Sequence, residues 1–473
     1  VRRFLLVLIC MIALAAGGAG VFGTGLNRRV GPPDVVLITI DTLRADHVGA
    51  FNPASPSATP NIDALAADGV VYSQAWSPIS VTGPAFTTLL TGQDPGTHGV
   101  VMNLFRGGAS LPQRATTLAE RFHDRRYATA AFLSGFTLRR ALGLSQGFDT
   151  YTAPTAQQRR RPGAVTLRRS LRWLRSVEPW RRVLLWFHSY DVHGPLTAVD
   201  AAVPAGPQWA RDVDQLEHLP VYQRTDGISD PDFYAQRYAA AVSQADAELG
   251  ALVAVLKQEG RYDHAVVVFT ADHGETLSER EPWMDHGTHA SAEQLHVPLI
   301  IKYPRGVRAG ERVDQLVGLA DIAPTVLQIA GLDPLPAADG QPLDAAAHVE
   351  LFGESSHCKT EPTLHCAPQG IAGKELSVRT ADRTVVREST DEGPRFTVYD
   401  RTTDPAELQP TADTPTVDER ARLDAMAADR ARRPLVAPVV GAAVGAAVGA
   451  EGSAAADGAA AEEEALRALG YVE

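Results

Sequence analysis

Positive charge is in short supply in this chain: 44 Lys and Arg stand against 56 Asp and Glu in 473 residues, a net charge of −12. A surface built for polyanions normally carries a basic footprint, so nucleic acid is set aside as a partner. Cysteine is scarcer still, with three residues in all. Cys358 and Cys366 lie in a polar stretch with no four-ligand zinc pattern around them. Outside a reducing compartment they would close a small loop, and two free thiols are the alternative.

The first residues read as an export signal. Arg2 and Arg3 precede the apolar run Phe4 to Ala16, and small residues follow to Gly20. Residues 1–22 therefore direct the chain to the periplasm or the extracellular space. Because the run reaches Phe22, the alternative is an uncleaved membrane anchor. Cys10 follows Ile9 rather than a small residue, which does not suit a lipoprotein cysteine.

With 45% hydrophobic residues, the length suits one large catalytic domain, 30–350, carrying a smaller subdomain, 351–434. Apolar β-branched runs at Val35 to Ile40, Val183 to Phe187, Ala265 to Phe269 and Val297 to Ile301 predict strands. They alternate with helical stretches at Asn61 to Asp68, Pro84 to Leu90, Thr117 to Arg125, Phe233 to Glu259 and Ile322 to Ala330. That alternation predicts an α/β domain with a mostly parallel sheet flanked by helices. Strand patterns at Leu376 to Thr380, Arg383 to Arg387 and Phe396 to Tyr399 predict a smaller C-terminal antiparallel sheet. Residues 435–461 are an Ala/Gly-rich linker before a short segment, 462–473. Pro195 to Asp230 lacks periodicity and reads as a surface insertion over the site. The stretch Arg159 to Arg182 holds nine arginines, read as a solvated helix face, with contact to a membrane surface or an anionic substrate as the alternative.

Three predicted strands end in metal-ligand chemistry. Asp41 closes the first, Asp272 and His273 follow Val-Val-Val-Phe-Thr-Ala, and Asp191 and His193 follow Leu-Leu-Trp-Phe-His-Ser-Tyr. Open α/β sheets bind ligands beyond the carboxyl ends of their strands, so these residues converge on one edge. Singly, each is as well explained as a turn former or a core histidine. His286 and His289 add imidazoles, and mixed carboxylate and imidazole shells suit zinc or manganese. Thr82, before Gly83 and Pro84, stands at a predicted helix start, where free N–H groups and the dipole stabilise an oxyanion. An ordinary Thr N-cap is the alternative.

Taken together, Asp-Val-Val-Leu-Ile-Thr-Ile-Asp-Thr-Leu-Arg-Ala-Asp-His, Thr-Pro-Asn-Ile-Asp, Leu-Leu-Thr-Gly, Thr-Ala-Asp-His-Gly-Glu, Val-Pro-Leu-Ile-Ile and Asp-Ile-Ala-Pro-Thr-Val-Leu resemble the sulfatase branch of the alkaline phosphatase superfamily. The resemblance implies an alkaline-phosphatase-like fold and a metal-dependent hydrolase of phosphate or sulfate esters. Sulfatases carry, at the position of Thr82, a Cys or Ser that is converted to formylglycine, then Pro and Arg; here Phe86 replaces the Arg. The segment resembles instead a subgroup with a threonine nucleophile. His286 in place of a Lys, and Asp191 beside His193, resemble the two-metal phosphodiesterases. That resemblance implies one metal on Asp41, Asp272, His273 and Thr82 and another on Asp191, His193 and His286. A single site, with calcium, is the alternative, and Thr42 replaces the second Asp of the calcium-binding members. His98 and His289 are candidate substrate contacts. The substrate would be a small-molecule, glycan or lipid ester. Two other readings stay open: a sulfatase acting without formylglycine, and a non-catalytic binding protein.

Overall fold

The computed structural model describes residues 31–104, 109–345, 347–356 and 374–432. Residues 1–22, expected as a signal or anchor, Cys358 and Cys366, and the expected linker and last segment, 435–473, lie outside the described residues.

The large sheet has eight strands: β1 (Asp34–Ile40), β2 (Val70–Trp76), β3 (Ala128–Leu133), β4 (Thr150–Thr152), β5 (Val183–Ser189), β6 (Ala265–Thr270), β7 (Leu299–Lys302) and β8 (Glu311–Gly318). Their order is β4-β3-β5-β1-β6-β7-β2-β8. β1 lies between β5 and β6 and is parallel to both, with Thr39 level with His188 on one side and Thr270 on the other. The three strands therefore end together. β7 runs antiparallel to both neighbours, a direction its apolar run does not encode.

Every residue of β1, β5 and β6 is buried, as doubly covered strands must be. The covering helices are α1 (Pro60–Ala67), α2 (Thr82–Thr91), α3 (Leu118–Asp124), α4 (Gly163–Ser176), α5 (Pro231–Gln258) and α6 (Ile322–Ala330). α5 packs on α1 and α4, and α2 packs on α3 and α6. Start signals are visible at two of them: Thr117 and Glu120 form a capping box before α3, and Asp230 caps α5 ahead of Pro231.

A second sheet, antiparallel, has the order β12-β11-β10-β9. It consists of β9 (Leu351–Glu354), β10 (Glu375–Arg379), β11 (Arg383–Thr390) and β12 (Gly393–Asp400), closed by α7 (Val417–Arg432). Leu376, Val378, Val385, Val398 and Leu423 form its own small core. The insertion 195–230 folds as three short 3-10 helices (Thr197–Val199, Asp214–His218 and Val221–Gln223) joined by turns and reaches the rim of the large sheet. There Gln223 donates to Met284 O at 3.0 Å.

Candidate functional site

The site lies where β1, β5 and β6 end. Asp41, Asp272 and His273 are fully buried, and their ligand atoms lie within 4.8 Å of one another, which among the described residues is the one group of this kind. Asp41 Oδ1 and Asp272 Oδ2 have no hydrogen-bond partner. Burial and the neighbouring Asp272 charge push the Asp41 carboxyl well above the usual range. Two buried carboxylates with orphan oxygens are costly unless something positive sits between them.

The turn after Asp41 is held in a strained shape. Thr42 has φ 56°, unusual for a β-branched residue. Its N–H donates to Asp272 Oδ1 at 3.1 Å, its hydroxyl to Asp41 O at 2.8 Å, and Tyr238 Oη donates to Thr42 O at 2.6 Å. Such strain, about 1–3 kcal/mol, persists where the surroundings over-determine it. Here it joins Asp41 to Asp272.

Thr82 opens α2, and its Oγ1 lies 3.4 Å from His273 Nε2. The capping alternative falls, because Val81 is the cap residue and the Thr82 hydroxyl bonds across to β6's loop. The expected array of free N–H groups is also smaller than foreseen. Gly83 N–H donates to Asn103 Oδ1 at 2.8 Å, Ala85 N–H to Val81 O at 3.1 Å, and Pro84 has none. Phe86 is fully buried, its ring centroid 5.2 Å from both Trp186 and His188. Position 86 thus packs under the site and serves as a wall.

The second proposed ligand set is not gathered. Asp191, His193 and His286 do not bring three ligand atoms within the 4.8 Å reach that the first set shows. Asp191 turns toward the start of α4, where Gly163 N–H donates to its Oδ2 at 2.9 Å and where it is hydrogen-bonded to Glu248. Burial, then the Asp191 charge, push Glu248 up to about 8. Gly163 packs tightly there: a Cβ would stand 2.1 Å from Glu248 Oε2 and displace that carboxyl. His193 and His286 do reach the site: their rings lie 4.9 Å apart, and His286 stacks 4.7 Å from His273. His193 is held by Gly194 O at 2.6 Å and by Tyr190 stacked at 4.2 Å. Burial and the neighbouring His286 hold it neutral, well below its usual value.

His98 and His289 stand elsewhere in bonding terms. Val100 N–H donates to His98 Nδ1 at 3.0 Å and Thr88 Oγ1 lies 3.0 Å from Nε2, so both nitrogens serve the fold. His289 Nε2 meets Glu281 O at 2.9 Å and its Nδ1 lies 3.7 Å from Glu375, tying the rim to the small sheet.

Sequence reasoning passed over three contributors. His188, at the end of β5, places Nε2 3.2 Å from Asp41 Oδ2 and is lowered to about 4 by burial. Glu275 lies 3.3 Å from His286 Nδ1 and is pushed up to about 8 by burial. Arg160, counted with the basic stretch, instead donates to His193 O at 2.8 Å, Tyr190 O at 3.1 Å and Pro195 O at 2.6 Å. For His188 its level on the sheet was the available signal: it is paired with Thr39, two residues before Asp41.

A sulfatase family model matches residues 33–332, which is more than half of the chain. The chain belongs to the sulfatase family. A second family model, N-sulphoglucosamine sulphohydrolase C-terminal, matches 282–427. The chain is 26% identical over 405 residues to an ulvan-active sulfatase of Formosa agariphila, covering 79% of this chain and 76% of that protein. It is 38% identical to arylsulfatase K of Bos taurus over 99 residues, 21% of this chain and only 18% of that protein. Among solved structures, the phosphonate monoester hydrolase of Agrobacterium radiobacter shares the fold with TM-score 0.64 and 22% identity, over 84% of this chain and 94% of that one. A protein solved with its substrate D-glucosamine-2-N,6-O-disulfate gives TM-score 0.67 and 16% identity, over 84% and 97%. Sulfatase-family membership fits the alkaline-phosphatase-like sheet and its small antiparallel companion.

Proposed function

We propose that this chain is a metal-dependent hydrolase of phosphate or sulfate esters in which Thr82 is the nucleophile. The observation that carries this reading is the grouping of Asp41, Asp272 and His273 around orphan carboxylate oxygens, with Thr82 Oγ1 3.4 Å from His273 Nε2.

Those residues fit a single divalent cation, which they would hold with two carboxylates and an imidazole. The imidazole favours zinc or manganese over calcium, which takes oxygen ligands. Bound there, such an ion would lower the pKa of the Thr82 hydroxyl and offset charge on the ester oxygens. The two-metal arrangement has no support in the placement of Asp191.

The chain's own groups supply the rest. Thr82 Oγ1 attacks phosphorus or sulfur and the alcohol leaves, forming an ester on the threonine that water then hydrolyses. For a phosphate ester the two displacements give net retention. His193 and His286 line the approach, with Glu275 and His286 sharing a proton available to the leaving oxygen. Arg160 fixes the loop that carries His193. Phe86 and Trp186 keep the floor of the site apolar, which strengthens the electrostatic interactions above it.

Phosphate esters are the preferred substrates, because threonine is not converted to formylglycine. The names of the curated relatives favour a second reading, a sulfuric ester hydrolase acting through Thr82. Turnover of an aryl phosphodiester and an aryl sulfate by the purified chain separates the two. Faster phosphodiester turnover, with the phosphoryl group and its remaining ester trapped on Thr82, is expected; faster sulfate turnover selects the second reading. The apolar run behind Arg2 and Arg3 supports export of the enzyme.

A further inference from the structure

Seven of the nine arginines between 159 and 182 divide into two groups with different tasks. Arg160 and Arg161 turn inward, toward Pro195 O and Leu133 O respectively. Arg168, Arg169, Arg172, Arg175 and Arg181 are exposed along α4 and the loop after it, and Trp180 in that loop is 66% exposed. Arg168, Arg172 and Arg175 recur at the spacing of one helix face. The acidic groups near them answer little of this charge: Glu259 lies 3.8 Å from Arg175 and Asp149 3.7 Å from Arg181, both pairs in solvent. Glu178 is the one acid within the stretch. In a chain of net charge −12, a local cluster of five exposed guanidinium groups beside a bare indole needs a reason.

Its place in the fold supplies one. α4 begins at the site end of the sheet, where Gly163 N–H meets Asp191, and runs away from it. Its 14 residues span roughly 21 Å, so Arg175, Trp180 and Arg181 lie toward the opposite end of the molecule. β1 starts at that same end. Arg261 binds Asp34 Oδ2 at 3.1 Å, Arg181 O at 3.2 Å and Glu178 O at 3.3 Å, and Val183 N–H donates to Asp34 Oδ1 at 3.0 Å. The chain therefore enters the sheet directly beside the basic loop. In the sequence, the apolar run ending at Phe22 lies only 11 positions before Pro33, with Arg28 and Arg29 between them. That spacer reaches at most about 40 Å.

We infer that Arg168, Arg169, Arg172, Arg175, Arg181 and Trp180 form a docking surface for an anionic lipid bilayer, with the site edge of the sheet facing away from the membrane. Arginines meet lipid phosphates bidentately, and an exposed indole seats at the headgroup level. The nearby apolar run would hold this surface against the same bilayer. The hydrolase then works on substrates arriving from the aqueous side.

The test is co-sedimentation of the full chain with vesicles of phosphatidylcholine alone and with added phosphatidylglycerol. Phosphatidylglycerol is expected to tighten binding of the parent in low salt, an increment lost at high salt. The triple variant R168E/R172E/R175E should lose that increment, about a hundredfold in affinity, while binding phosphatidylcholine as the parent does. Unchanged turnover of a soluble aryl ester confirms that the variant is folded. Trp180→Ser, a milder change, should weaken binding about threefold to tenfold. Equal affinity of parent and both variants for the anionic vesicles would overturn the inference. So would binding of a sulfated polysaccharide through these arginines with no gain from phosphatidylglycerol, which would mark a glycan surface instead.

Discussion

Glu354 and Glu407, in and beside the small sheet, are as deeply buried as Asp41 and Glu275 at the rim of the large one, yet their surroundings are opposite. Lys374 and Arg430 reach Glu354 at 3.0 Å each and hold it down to about 2. Arg379 grips Glu407 with two bonds of 2.9 Å, Thr384 adds a third at 2.6 Å, and its carboxyl is likewise lowered. Every charge in that seam is answered from within the chain. At the rim, Asp41 is pushed up and Glu275 reaches about 8, and each keeps an oxygen with no hydrogen-bond partner. The seam is finished by folding alone, whereas the rim is unfinished in a way that a cation would complete. Buried carboxylates are answered by basic side chains in one region and left with unpartnered oxygens in the other.

Removing one acid from each region breaks the comparison most sharply. Asp272→Asn should cut hydrolysis by at least about a hundredfold and weaken metal binding to match, read by turnover and metal titration. Unfolding of the metal-free variant should be no easier than that of the metal-free parent, because a repelling charge has gone. In the seam the pattern reverses. Arg379→Ala strips the buried Glu407 of its two-bond partner and leaves it only Thr384 and, 3.9 Å away, Arg401, for a loss of about 3 kcal/mol in denaturant unfolding, with kcat per folded molecule unchanged.

The pH dependence sharpens it further. Glu354, depressed from 4.5 to about 2, contributes stability that is present above the unfolded value and lost as pH falls through about 2. Glu275, raised from 4.5 to about 8, acts in the other direction: the metal-free protein loses stability as pH rises from 4.5 toward 8. Glu275→Gln should flatten that loss when unfolding is compared at the two ends of the window. The smallest effect belongs to His98. His98→Ala should cost about 1–3 kcal/mol, by orphaning Val100 N–H and Thr88, and leave KM unaltered.

Part of this arrangement was legible in the residue order. Asp41, Asp272 and His273 follow apolar β-branched runs that end at one level, and strand pattern plus the rule for ligands at carboxyl ends brought them together. The fold class, parallel sheet and antiparallel subdomain, followed from the same alternation. Direction was harder. The Val297 run predicts a strand but says nothing of its sense, and β7 runs against its neighbours. β2 escaped because Ser73 and Gln74 interrupt its apolar pattern, and β9 because it is four residues long. Asp191 was misplaced for a non-local reason: spacing puts it after a strand end, but its bonds to Gly163 and Glu248 come from helices remote in sequence. His188, inside an apolar run, carried no polar pattern of its own and emerged only through its pairing with Thr39, which brings its ring to Asp41.

The central claim is that a cation on Asp41, Asp272 and His273 activates Thr82. Metal content and turnover, measured together on the parent and on Thr82→Ala, address it most directly. The account predicts near-stoichiometric zinc or manganese in both proteins and a loss of turnover of at least about a thousandfold in the variant. An active parent without bound metal, or a variant as active as the parent, would contradict it.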